Sequence, residues 1–165
     1  MSKTCAFFGN DYDFMYGRKR MRCPNLPLKE KIKQQIINLI NNENVDTFLV
    51  GEIGGFEEDA YDTVLEVQQI YPHIKIILVI SKITELNEIN NYNGDYIIEK
   101  RGFDEFILPH KCATGCRKFG IIYRNRYIIN HADFIIAYNR QHGRAHKYCK
   151  QAENKGVTVI ELAKK

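Results

Sequence analysis

Apolar residues come in two textures along this chain: short unbroken runs, and stripes that return every third or fourth position. Thr4-Cys5-Ala6-Phe7-Phe8 is a run closed by Gly9, which predicts a buried first strand. Leu28, Ile32, Ile36, Leu39 and Ile40 then recur on one helical face. Thr47-Phe48-Leu49-Val50 predicts a second strand that runs into Gly51-Glu52-Ile53-Gly54-Gly55-Phe56. Phe56, Ala60, Val64, Val67 and Tyr71 form the next helical stripe, which Pro72 ends. Residues 74–83 are nearly all apolar and rich in isoleucine, as a parallel strand covered on both faces would be.

Residues 119–162 repeat the alternation and organise the rest. Ile121, Ile122, Ile128 and Ile129 supply a helical stripe, and the strand Asp133-Phe134-Ile135-Ile136-Ala137-Tyr138 follows. A last helix over residues 144–154 stops at Gly156, a favourable residue just past a helix end, and Val157-Thr158-Val159-Ile160 is the final strand. Residues 10–27 hold Gly, Pro and basic residues without a period and read as a loop. Residues 84–118 are the least legible part, with Tyr96-Ile97-Ile98 as a candidate short strand. About five strands joined by helices predict an α/β fold, a Rossmann-like three-layer sandwich with a mainly parallel sheet.

Composition adjusts this picture little. A length of 165 residues suits a single domain over 1–165. The net charge of +4 does not imply a broad nucleic-acid or membrane face. No apolar run approaches a bilayer span and no signal-peptide pattern is visible, so a cytoplasmic location is expected. Five cysteines, an odd number at uneven spacing, do not read as a disulfide framework. His110, Cys112 and Cys116 form one loose cluster for which a fourth ligand (Cys23 or His146) is only speculative, so no structural zinc is expected. A thiol nucleophile there has no base fixed by spacing.

In an open parallel sheet, ligands sit beyond the carboxyl ends of the strands, where the strand order reverses. Three strand-to-helix turns reach that edge in this reading: Gly9-Asn10-Asp11, Gly51 to Phe56, and Asn139 to Arg144. Each carries glycine. Arg140, His142, Arg144, His146 and Lys147 crowd the start of the last helix, where the dipole already disfavours cations. A bound anion resolves that conflict; side chains splayed into water are the competing reading.

These residues also resemble a family. Gly54-Gly55-Phe56, Arg124-Asn125-Arg126 with Ile128, Ala132-Asp133, Ile136-Ala137, Gly143-Arg144-Ala145 and Lys155-Gly156-Val157 are similar in order and spacing to the bacterial SLOG superfamily, most of all to its small YpsA-like branch. The resemblance implies a Rossmann-like domain that binds nucleotides or nucleotide-derived ligands at the strand edge. Members of that superfamily include cytokinin-activating phosphoribohydrolases, DNA-processing protein A and ligand sensors of bacterial defence systems. The hydrolases carry an Arg-Lys pair ahead of the strand's Asp, a Pro-Gly-Gly-x-Gly-Thr turn after it, and then a catalytic Glu. Here Arg124 keeps the Arg, Asn125 replaces the Lys, and Asn139, Arg140 and Gln141 stand at Pro-Gly-Gly. Gly143 keeps the later Gly, Arg144 replaces the Thr, and His146 and Lys147 occupy the acid's region. The acid for N-glycosidic cleavage is missing, unless Asp11, Glu52 or Glu57 stands in, so any hydrolysis should be slow.

The expected site is therefore Gly9, Asn10, Glu52, Gly54, Gly55, Arg124, Asn125, Gly143 and Arg144, with phosphate nearer Gly143 and Arg144 and sugar or base nearer Gly54 and Glu52. No cofactor is expected. The expected partners are a small nucleotide-like ligand and a second copy of the chain, with no membrane. Nucleic acid is the alternative partner, through Arg18, Lys19, Arg20 and Arg22 with Tyr12, Phe14 and Tyr16 just before them.

Overall fold

Six parallel strands form one sheet between two helical layers. The fold is that of a computed structural model, which describes residues 2–9, 14–16, 19–21, 25–51, 55–81, 103–139 and 144–163, with side chains left undescribed at 14–16, 19–21, 55 and 117. The strands are β1 (Lys3–Gly9), β4 (Val45–Val50), β5 (Lys75–Val79), β6 (Glu105–Ile107), β7 (Phe134–Tyr138) and β8 (Thr158–Glu161). The helices are α1 (Leu26–Glu43), α2 (Gly55–Ile70), the short α3 (His110–Thr114), α4 (Gly120–His131) and α5 (Arg144–Asn154).

The sheet order is β6-β5-β4-β1-β7-β8. The chain moves outward from β1 to one side, then crosses to β7 on the other. The reversal point is thus the pair β1 and β7, whose last paired residues are Gly9 and Tyr138. Period-2 alternation sorts the strand residues between two cores. Cys5, Phe7, Phe48, Val50, Ile76 and Ile136 pack under α1 and α2. Ala6, Phe8, Leu49, Ile77, Val79, Ile135 and Ala137 pack under α4 and α5.

Helix ends follow local chemistry. The Asn25 side chain accepts from the Leu28 N–H at 3.1 Å, and Pro27 sits in the first turn, where its missing N–H costs nothing. At the end of α5, the Val157 N–H reaches the Ala152 carbonyl and the Gly156 N–H reaches the Glu153 carbonyl, both at 3.0 Å. With Gly156 at φ 87°, this is a Schellman stop.

Two expectations need correction. A sixth strand, β6, joins the sheet beside β5, where no strand was expected. It is a half-exposed edge strand and so lacks an unbroken apolar run. Residues 10–27 are not all loop: β2 (Phe14–Tyr16) and β3 (Lys19–Met21) pair antiparallel, and α1 already includes Leu26 and Pro27. The candidate strand Tyr96-Ile97-Ile98 lies outside the described residues. Among the described residues, no helix is long and apolar enough to cross a membrane.

Candidate functional site

The two faces of the sheet's carboxyl edge differ in chemistry. On the α1/α2 face, Phe56 lies directly on Gly9, so closely that a Cβ there would sit 2.3 Å from the ring. Phe56 is fully buried and stacks on Tyr138, with centroids 6.1 Å apart and planes 15° apart. The next residue, Glu57, accepts the Gly9 N–H through Oε1 at 3.2 Å. The end of β1 therefore carries an aromatic lid and a carboxylate over Gly9.

The α4/α5 face is polar. Arg124 stands one turn into α4, and helical side chains lean toward the N-terminus of their helix, which here is the carboxyl edge. Its side chain is buried, and Gly51, just past β4, makes the room. A Cβ on Gly51 would meet Arg124 Nε and Ile128 Cδ1, each at 3.1 Å. Arg124 Nε donates to Asn125 Oδ1 at 3.2 Å. Asn125 is buried too, and among the described residues its Nδ2 has no acceptor.

Further along the same face, Glu161 at the end of β8 holds Asn139 at the end of β7. The Asn139 N–H donates to Oε1 at 3.0 Å and to Oε2 at 3.3 Å, and its Nδ2 donates to Oε2 at 3.4 Å. Burial pushes the Glu161 carboxyl above its ordinary range, while the Asn139, Leu162 and Ala163 N–H groups and nearby His146 pull it down. Asn139 Nδ2 also reaches Cys149 Sγ at 3.5 Å. Burial lifts the Cys149 thiol to about 12, and the Glu161 charge adds to that, so it is protonated near neutral pH and a poor nucleophile. A groove of about 540 Å³ opens here, lined by Asn139, His146, Lys150, Glu153 and Glu161 among others.

Of the residues expected at the site, Asn10, Glu52, Gly54 and Gly143 lie outside the described residues, as do Asp11, Arg140 and Gln141. Gly9 sits at the reversal point, Gly55 opens α2, and Arg124 and Asn125 are buried neighbours on α4. Arg144 is exposed on the first turn of α5, a turn without any acidic residue. Sequence reasoning missed Asn139 as a held residue and Glu161 as its holder. The available signal was a lone carboxylate closing an otherwise apolar final strand.

The other candidate chemistries disperse. Cys112 is buried and its thiol donates to the Gly120 carbonyl at 3.4 Å, whereas His110 and Cys116 are exposed. Among the described residues, no three His, Cys, Asp or Glu side chains are grouped to hold a metal. Tyr12, Arg18 and Arg22 lie outside the described residues, while Phe14, Tyr16, Lys19 and Arg20 belong to the β2–β3 ribbon. Comparison of the whole chain with known protein families and with curated proteins finds no family model and no curated protein that matches it.

Proposed function

We propose that this chain is a SLOG-like domain that binds a nucleotide or nucleotide-derived phosphorylated ligand at the carboxyl edge of its sheet, and that it works as a sensor. One observation carries the reading: a buried arginine stands at that edge in the space left by Gly51, beside a buried amide whose Nδ2 has no acceptor among the described residues. A guanidinium presents a fixed fork of donors that matches phosphate. Burial of the Asn125 amide with one donor unmet among the described residues costs free energy that a ligand can offset. The first turn of α5 adds Arg144 at a helix N-terminus, where an anion is favoured. The groove along α5 and β8 offers both donors and acceptors for a sugar or base.

The test is a thermal-shift panel of nucleotides, cyclic nucleotides and ADP-ribose derivatives, followed by titration calorimetry on any that stabilise the chain. Arg124→Ala should weaken binding by about 1.5 kcal/mol or more, the lower end for a charge-assisted hydrogen bond. Arg124→Lys, which keeps charge but not the fork, should recover only part of it. Absence of any shift at millimolar ligand, or an Arg124→Ala variant that binds like the parent, overturns the reading.

A second reading, a nucleotide N-glycosidic hydrolase, draws on Glu57, a carboxylate at the reversal point where such chemistry needs an acid. Incubation with nucleoside monophosphates and a chromatographic search for free base separates turnover from binding alone. A third, nucleic-acid association, rests on the basic β2–β3 ribbon, and a steep salt dependence of single-strand binding would support it.

A further inference from the structure

We propose that a groove on the outer side of α4, away from the carboxyl-edge site, docks a short acidic segment of a protein partner. The groove holds about 330 Å³ and is lined by Pro109, His110 and Lys111 with Tyr123, Arg126, Tyr127, Asn130 and His131 of α4. Arg126 follows Arg124 by two residues, about 200° around the helix, so one arginine is buried toward the sheet and the other exposed on the rim.

Charge complementarity sets the partner's chemistry. Lys111 and Arg126 are cations, and no residue lining the groove is acidic. Among the described residues Arg126 has no ion-pair partner. Lys111 Nζ rests 5.7 Å from the Tyr123 ring centroid, an exposed contact that a carboxylate can share. The floor between these cations is apolar, made by the half-buried Tyr123 and Tyr127.

Shape and ring geometry favour a peptide over a nucleic acid. The rise from Tyr123 to His131 is about 12 Å at about 1.5 Å per residue. That matches roughly four residues of extended chain at about 3.3 Å each. Bases need free aromatic faces to stack on. His131 already covers one face of Tyr127 at 3.9 Å between centroids, and Tyr123 is engaged by Lys111 and by a T-shaped contact with Phe119. The net charge of +4 also lacks the long cationic track that a polyanion follows. Acidic side chains then meet Lys111 and Arg126, and an apolar side chain between them rests on the tyrosines.

The experiment is fluorescence anisotropy at low salt with a labelled acidic octapeptide bearing one central leucine. A peptide with lysine in place of its acids and a short single-stranded oligothymidine run alongside. The acidic peptide should bind with micromolar affinity, and Lys111→Glu with Arg126→Glu should weaken it at least tenfold. Both side chains are exposed, and a melting temperature equal to the parent's confirms an intact fold. Titration of AMP into the same variant should match its titration into the parent, which separates this surface from that site. Failure of the acidic peptide to bind, equal binding by the double variant, or tighter binding of the oligothymidine lost in that variant would each overturn the proposal.

Discussion

Gly9→Ala tests whether the first turn is built around Phe56. The added Cβ would lie 2.3 Å from Cγ and Cδ2 of Phe56 and 2.6 Å from its Cβ. Carbon contacts become comfortable at about 3.5 Å, so ring or strand must retreat by about 1 Å. The ring is fully buried and stacked on Tyr138, which leaves it no cheap escape. Overpacking a filled core costs about 1–3 kcal/mol, occasionally more, and the upper end applies because the first atoms struck are ring and Cβ. At this chain length each 1 kcal/mol moves the melting temperature by about 2–4 °C, so a fall of about 6–12 °C is expected. Phe56→Ala alone should cost about 3–5 kcal/mol. The double variant should cost little more than Phe56→Ala, because the new methyl then enters the vacated space. A coupling of about 2–3 kcal/mol follows. Urea unfolding can be followed by tyrosine fluorescence, since the chain has ten Tyr and no Trp. If Gly9→Ala lies within about 0.5 kcal/mol of the parent, or if the two costs simply add, the contact does not explain the glycine.

Two further outcomes concern stability. Burial lifts the Asp59 carboxyl to about 6, the Asn25 N–H lowers it and Asp62 raises it. Neutral Asp59 therefore stabilises the fold fully below about pH 4, and that benefit is lost as pH rises through about 6. Asp59→Asn, which keeps an acceptor for Asn25, should gain up to about 3 kcal/mol at pH 7.5 and nothing near pH 4; melts across that range that show a constant offset would refute the linkage. Gly156→Ala meets no atom within 4 Å but must adopt φ near 87°, so it should cost about 1 kcal/mol in urea unfolding, and a variant as stable as the parent would count against the Schellman stop.

The parts of the fold legible in the sequence are those where one local rule suffices. β1, β4, β5 and β7 are buried strands, and unbroken apolar runs betray them. β6 has only the Phe106-Ile107 pair and half-exposed side chains, so burial leaves no trace in its composition. In the β2–β3 ribbon Tyr16 pairs with Lys19, leaving Gly17 and Arg18 between them. A two-residue connection that begins with glycine is a hairpin signal, here hidden by surrounding basic residues. The Asn25 cap was equally readable, but Pro27 drew attention as a breaker when it is an ordinary first-turn residue.

The site was less legible because its key contacts join distant segments. The buried positions of α4 are Gly120, Arg124, Asn125, Ile128 and Ile129, a regular helical stripe with two polar members. Apolar counting picks out Ile121 and Ile122 instead, which are only half-buried. Nothing local says that Arg124 turns inward; that depends on the missing side chain of Gly51, just past β4. Asn139 and Glu161 are likewise joined only once β7 and β8 pair.

Magnitudes then bear on where a phosphate could sit on the proposed site. In dinucleotide-binding Rossmann domains, the backbone after the first strand approaches the pyrophosphate. Here the Gly9 N–H is held by Glu57, and Phe56 fills the space above it. A phosphate within about 4 Å of that carboxylate would meet repulsion of about 1 kcal/mol per charge pair in water, and about 4 kcal/mol at a partly shielded protein surface. One recovered charge-assisted hydrogen bond returns about 1.5–3 kcal/mol. The balance is unfavourable unless Glu57 moves away, which also forfeits its bond to Gly9. On the α4/α5 face the same phosphate meets attraction from Arg124 and Arg144 and an Asn125 amide donor that has no acceptor among the described residues. The anion in the proposed complex therefore belongs on that face, and the Glu57 carboxylate on the other favours an uncharged, hydroxyl-bearing part of the ligand there.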